Sequence, residues 1–287
     1  MLVLVMVATI ALSSCERRSA NPAGAEKGAQ RIVSLAPAIT ETLFALGAGA
    51  DVAGVSQYCD YPPEVLRLPK VGTFLTPNIE AIAGLRPTLV IGLGTSSDLR
   101  EMRALKAMGY RTLMVNDNSI AEIEASIDTV GAAIGRTREA HALLDAMHLK
   151  IGAIEERLRA APPRRVLMVV GHQPMVAVGR GTYLNELLAL AHGANIARES
   201  AQTWPRLSVE YIIATRPEVI LDGQMGSDPS SPSSFWGKYP TIPAVRDHRV
   251  AGYPENPTLH PGPRMVQTLE LLARLIHPEV MTRGAAQ

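Results

Sequence analysis

"NIEAIAGLRPTLVI" (Asn78 to Ile91) and "SVEYIIATRPEVIL" (Ser208 to Leu221) are two copies of one pattern. With Asn78 set on Ser208, Glu80 meets Glu210, Arg86 meets Arg216 and Pro87 meets Pro217. Asn78 and Ser208 are good helix N-caps, because a short side-chain oxygen accepts a first-turn N–H. The glutamates then fall in the first turn, where the helix dipole favours negative charge. Each proline stops its helix and hands the chain to an apolar run, "TLVIGL" or "EVILDG". Each copy therefore predicts a short capped helix followed by a buried strand. A second echo, "ETLFALGAG" (Glu41 to Gly49) against "ELLALAHGA" (Glu186 to Ala194) with one extra residue, extends the duplication.

The rest of the chain alternates in the same way. "RIVSLAP", "DVAGVS", "TLVIGL" and "RTLMVN" read as strands, with helices at "AITETLFALGAG" and "SSDLREMRALKAMGY". After a helix at "SIAEIEASIDTVGAAIG", a long helical pattern runs from Thr137, a candidate N-cap, to the pair Pro162-Pro163. About two dozen helical residues span roughly 35 Å, the length of a strut. Beyond it the alternation restarts with strands at "RRVLMVV", "EVILDG" and "HRVAGYP". Helices fall at "TYLNELLALAHGA", "VEYIIATR" and "PRMVQTLELLARLIHP". The expected fold class is α/β: two Rossmann-like lobes with mainly parallel sheets, at 31–136 and 162–280, joined by one rigid helix at 137–161, with a tail at 281–287.

Composition narrows the function. The 287 residues are 47% hydrophobic and carry a formal net charge of +1, which argues against nucleic-acid binding. No complete dinucleotide fingerprint, phosphate loop, nucleophile elbow or closely spaced Cys/His set is present, so the chain reads as a non-enzyme. The first residues, "MLVLVMVATIALSSC", are apolar up to Leu12 and then small up to Cys15. They fit the core of a secretion signal, although no Lys or Arg precedes them. "LSSC" resembles a bacterial lipobox, which implies lipidation of Cys15, and the tract 16–30 reads as a flexible tether. The other cysteine, Cys59, is then left without a disulfide partner and reads as a packed small hydrophobe.

Five stretches carry a family resemblance: "RIVSLAPAITETLFALGAG", "AGVSQYCDYPP", "PNIEAIAGLRPTLVI", "TWPRLSVEYIIATRPEVIL" and "HPGPRMVQTLELLARL". Together they resemble the substrate-binding proteins of ATP-driven importers in which one helix joins two α/β lobes. That class carries cobalamin, haem and iron-siderophores, and within it the stretches are most similar to the cobalamin binders. The resemblance implies a periplasmic, monomeric carrier that needs no cofactor and works with a dimeric permease and its ATPase subunits. It implies that Glu80 and Glu210 dock onto that permease. It also implies that Tyr58 and Trp204 pack on a corrin ring between the lobes. The loop "GTSSD" lacks the aromatic found in the family, and "YPENPTLHPGPR" replaces another aromatic and an acid–base pair with Glu255, Asn256 and His260.

These departures leave haem and ferric siderophore as alternatives, and a free transition metal as a weaker one. His172 and His260 are the candidate axial ligands to a bound macrocycle. Arg264, at the start of the last helix, offers a guanidinium to a propionate or amide oxygen, or else forms a structural ion pair. His141 and His148 on the strut lack the one-turn spacing of a metal pair and read as surface. Trp236, in the Ser/Pro-rich "GSDPSSPSSFWGKYP", is a candidate ligand cover.

Overall fold

A computed structural model describes residues 30–94, 100–223 and 232–282. The expected signal, Cys15 and almost all of the tether lie outside these residues. So do most of the "GTSSD" loop, part of the Ser/Pro-rich segment and the last five residues.

The N-terminal lobe holds β1 (Ile32–Ser34), α1 (Pro37–Ala45), β2 (Val52–Val55), α2 (Ile79–Gly84), β3 (Leu89–Leu93), α3 (Arg100–Ala107), β4 (Thr112–Val115) and α4 (Ile120–Ile134). Its sheet has the order β2-β1-β3-β4, and every pairing is parallel. Helix α5 (Thr137–Leu158) leads to the second lobe, which opens with β5 (Arg164–His172), β6 (Met175–Ala177), α6 (Tyr183–Leu190) and β7 (Gly193–Asn195). It continues with α7 (Val209–Thr215), β8 (Val219–Asp222), α8 (Pro232–Trp236), α9 (Pro243–Arg246) and β9 (Val250–Gly252), and ends with α10 (Glu255–Thr258), α11 (Met265–Ile276) and α12 (Pro278–Met281). The second sheet runs β6-β5-β8-β9. The nine residues of β5 are long enough for its first part to pair with β7 and its last part with antiparallel β6, along one edge. β6 and β7 have only three residues each, too few for a readable period, which is why β6 has no expected strand in the sequence and the start of β7 falls in the expected helix "TYLNELLALAHGA".

The duplication is visible in the backbone. Positive φ angles recur in pairs ahead of matching strands: Gly47 (73°) and His192 (54°) before β2 and β7, Arg86 (47°) and Arg216 (51°) before β3 and β8, Gly109 (89°) and His248 (53°) before β4 and β9. Arg86 and Arg216 each precede a proline, which disfavours right-handed helix at that position. Gly47 corresponds to His192 without the extra residue implied by the sequence echo.

Helix α5 packs its buried residues Ala140, Met147, Ile151, Ile154 and Leu158 between the lobes, against α4 on one side and α11 on the other. At 22 residues it is about 33 Å long. Its N-cap is Arg136, with no side-chain cap bond, and Thr137 is its first helical residue rather than the cap. His141 and His148 lie on its exposed face and reach Asp128 and Glu124 of α4 at 3.2 and 2.8 Å. Cys59 is buried, and burial pushes its thiol pKa up. No helix among the described residues is long and apolar enough to cross a membrane.

Candidate functional site between the lobes

Parallel strands end in loops on one side of each sheet, and in open α/β folds that side collects ligands. Here the C-terminal ends of both sheets face one cavity of about 460 Å³. The first lobe supplies Phe74, Asp117 and Asn118, the last two from the turn after β4. The second lobe supplies Val170, Val176, Thr182, Tyr183, Trp204, Leu259 and Pro261. A larger groove of about 960 Å³ lies on the strut side, lined by Phe44, Leu68, Met147, Ile154 and Val266. It is built from helix flanks rather than strand ends, so the smaller interlobe cavity is the better candidate site.

Three of the few aromatic side chains stand exposed here: Tyr58 at 51%, Trp204 at 45% and Phe74 at 37%. Phe74 and Trp204 line the cavity, and the rings of Tyr58 and Phe74 lie 6.1 Å apart. Apolar rings left half in water at a cleft mark a surface that a ligand can cover. Phe74 was missed in the sequence because "GTFLTPN" carries no periodic signal; its one hint is an aromatic in a loop bracketed by Gly and Pro. On the cavity floor the Tyr183 hydroxyl donates to the Thr258 carbonyl, and burial pushes its pKa well up.

The two candidate axial imidazoles are already engaged. His172 Nε2 lies 2.8 Å from Asp222 Oδ2, its ring centroid is 4.1 Å from that of Phe235, and its Nδ1 is fully enclosed. The expectation that it offers a nitrogen to the cleft is corrected: a fully buried carboxylate, Asp222, holds it in place. Trp236 is corrected for the same reason. Its side chain is fully buried, and its indole N–H donates to Asp222 Oδ2 at 2.8 Å, so it belongs to the core.

His260 and Arg264 meet Glu41 of the other lobe. Arg264 donates to both Glu41 oxygens, at 2.8 and 2.5 Å, and His260 Nδ1 lies 3.1 Å from Oε1. Arg264 also donates to Asn256, whose amide reaches Asp60 at 2.6 Å, and its guanidinium sits 3.9 Å from the Tyr61 ring. Of the two roles open to Arg264, the structure shows the ion pair. Glu41 and Arg264 are 223 positions apart, so no local pattern could join them. Its counterpart Glu186, from the second lobe, accepts from Ile120 N at the start of α4 at 2.7 Å.

Glu80 and Glu210 are exposed in the first turns of α2 and α7. Asn78 accepts from Ala81 N at 3.0 Å, and Ser208 accepts from Tyr211 N at 3.2 Å, so both caps form as read. Hydrogen bonds from its own backbone N–H and from Ser208 hold the Glu210 carboxyl below its usual range.

The periplasmic binding protein family profile matches residues 32–257, most of the chain. The chain belongs to this family. Members are solute-binding proteins of ABC importers, not enzymes, and work with permease and ATPase partners. This binding protein is 26% identical to the vitamin B12-binding protein of Yersinia pestis (strain Pestoides F) over 219 residues, 76% of this chain and 78% of the relative. It superposes on the apo periplasmic heme-binding protein RhuT from Roseiflexus sp. RS-1 with TM-score 0.79 and 30% identity, covering 88% of this chain and all of the other. The vitamin B12-binding protein BtuF of Vibrio cholerae gives TM-score 0.76 at 24% identity, covering 90% and 98% of the two chains. That last likeness speaks for the shared fold.

Proposed function

We propose that this binding protein captures cobalamin or a related corrinoid between its lobes and delivers it to a dimeric ABC permease. The observation that carries the reading is the group of half-exposed Tyr58, Phe74 and Trp204 at an interlobe cavity whose lining also includes Val170, Val176, Leu259 and Pro261. A flat macrocycle gains dispersion and hydrophobic contact from such rings at little cost in side-chain entropy. In this reading the macrocycle rests on the aromatics, while His260 and Arg264 tie the two lobes together and His172 is held within the second lobe by Asp222. Glu80 and Glu210, fixed by their caps on matching helices, present two negative charges that set orientation on a two-fold partner. The protein works in the periplasm, tethered through lipidated Cys15.

A second reading is haem, favoured by the exposed Tyr58 phenol as an axial oxygen and by the likeness to RhuT. A free metal ion has less support: the described residues contain no group of three His, Cys, Asp or Glu side chains placed to hold one. Calorimetric titration of residues 30–287 with cyanocobalamin and with haemin separates the first two. The corrinoid reading expects saturable one-to-one cobalamin binding, weakened by Trp204→Ala. Binding of haemin alone, abolished by Tyr58→Phe, would overturn it in favour of haem.

A further inference from the structure

Asp117 is the one carboxylate that lines the interlobe cavity among the described residues. The nearby helix N-terminus is the natural place for a carboxylate, but its donors at Ile120 and Glu122, and Asn118 N just ahead of it, are directed to other acceptors. Asn118 N donates to Glu122 at 2.8 Å, Glu122 N donates to Ser119 Oγ at 3.1 Å, and Ile120 N donates to Glu186. Among the described residues, no hydrogen bond or ion pair reaches the Asp117 side chain. Burial and the Glu122 charge push its pKa up to about 6, so at pH 8 it is an ionised group that faces the cavity without a donor from the described residues.

The cavity also lacks a counter-charge. None of its described lining residues is Lys, Arg or His, and Arg180 and Arg206 on the flanking loops are exposed and do not line it. The segments 95–99 and 224–231, outside the described residues, contain no basic residue in their sequence. A ligand that enters with its own carboxylates meets a like charge in a partly desolvated site and no cation to offset it. A ligand that carries amide N–H groups supplies the missing donors.

We infer that Asp117 is a specificity-determining residue that accepts amide hydrogens from the bound macrocycle and selects against carboxylate-bearing analogues. This rests on the corrinoid reading, whose ligand carries peripheral amides, but the charge rule itself holds for any macrocycle in the cleft. The test uses two pairs of probes at pH 8: cyanocobalamin against a derivative with one side-chain amide hydrolysed to carboxylate, and haemin against its dimethyl ester. Affinities are measured for the wild type, Asp117→Asn and Asp117→Glu.

The expected result is a preference of about tenfold or more for the uncharged-edge member of whichever pair binds. Asp117→Asn removes the preference chiefly by improving the carboxylate analogue, and Asp117→Glu keeps it. Cobalamin binding with a preference that Asp117→Asn leaves unchanged overturns the assignment and spares the corrinoid reading. An Asp117-dependent preference within the haem pair alone keeps the selection against carboxylates and overturns both the amide contact and the corrinoid reading. Failure of both pairs overturns both.

Discussion

Replacing Asp117 with Asn should stabilise the free protein at pH 8 and leave it nearly unchanged at pH 4. The ordinary carboxyl pKa of 3.8 is raised to about 6 in the fold by burial and by Glu122. Below the ordinary value both the folded and unfolded states hold the proton, and the group costs nothing. As pH rises from there the unfolded chain releases its proton first, so folding stability falls until the folded-state value is passed. Above about 6 the full cost is present. At 1.36 kcal/mol for each pH unit the rise corresponds to about 3 kcal/mol, and partial access to the cleft trims this to about 1–2 kcal/mol. Asn keeps the shape without the charge and removes that cost. Urea unfolding of both proteins at pH 8, 6 and 4 reads the difference directly. A gain of the same size at all three values, or a loss at pH 8, would refute the reasoning, because it would mean that the native carboxylate is satisfied within the fold.

Glu41→Ala leaves Arg264 buried without its carboxylate and should cost about 3–5 kcal/mol in the same assay, whereas Glu80→Ala, on an exposed surface, should stay within about 0.5 kcal/mol. Trp204→Ala should lower ligand affinity by about tenfold or more with little change in stability, because its ring is half in water before the ligand arrives; a large loss of stability would place it in the core instead. Trp236→Phe removes the indole donor to buried Asp222 and should cost about 1–3 kcal/mol, measured by urea unfolding, with ligand affinity retained. Glu80→Lys combined with Glu210→Lys should abolish uptake in cells while calorimetry shows ligand affinity intact, and normal uptake by the double variant would end the docking proposal.

The fold was legible because its signals are local. Asn78 and Ser208 cap, Pro87 and Pro217 stop helices, and both prolines are followed at once by buried strands. The site was legible only in part. Tyr58 and Trp204 stood out as scarce aromatics in loops. Phe74 and Asp117 sit in short connections where neither period nor motif marks them, and Asp117 gains meaning only from donors consumed elsewhere. The misreadings share a cause. His172 and Trp236 looked available because their shared partner, Asp222, lies 50 and 14 positions away.

Glu41 and Glu186 occupy equivalent places in the first helix of each lobe, and each crosses to the start of the other lobe's last long helix. Glu41 meets Arg264, the N-cap of α11, and Glu186 meets Ile120, the first residue of α4. Residue i touching j while j's copy touches i's copy is the signature of an isologous contact between identical subunits. The pattern is the one that a homodimer of single lobes would leave after gene fusion, its two once-identical contacts now diverged into a salt bridge and a helix cap. On that history the strut is the younger part, a covalent link laid over an interface that already held two halves together.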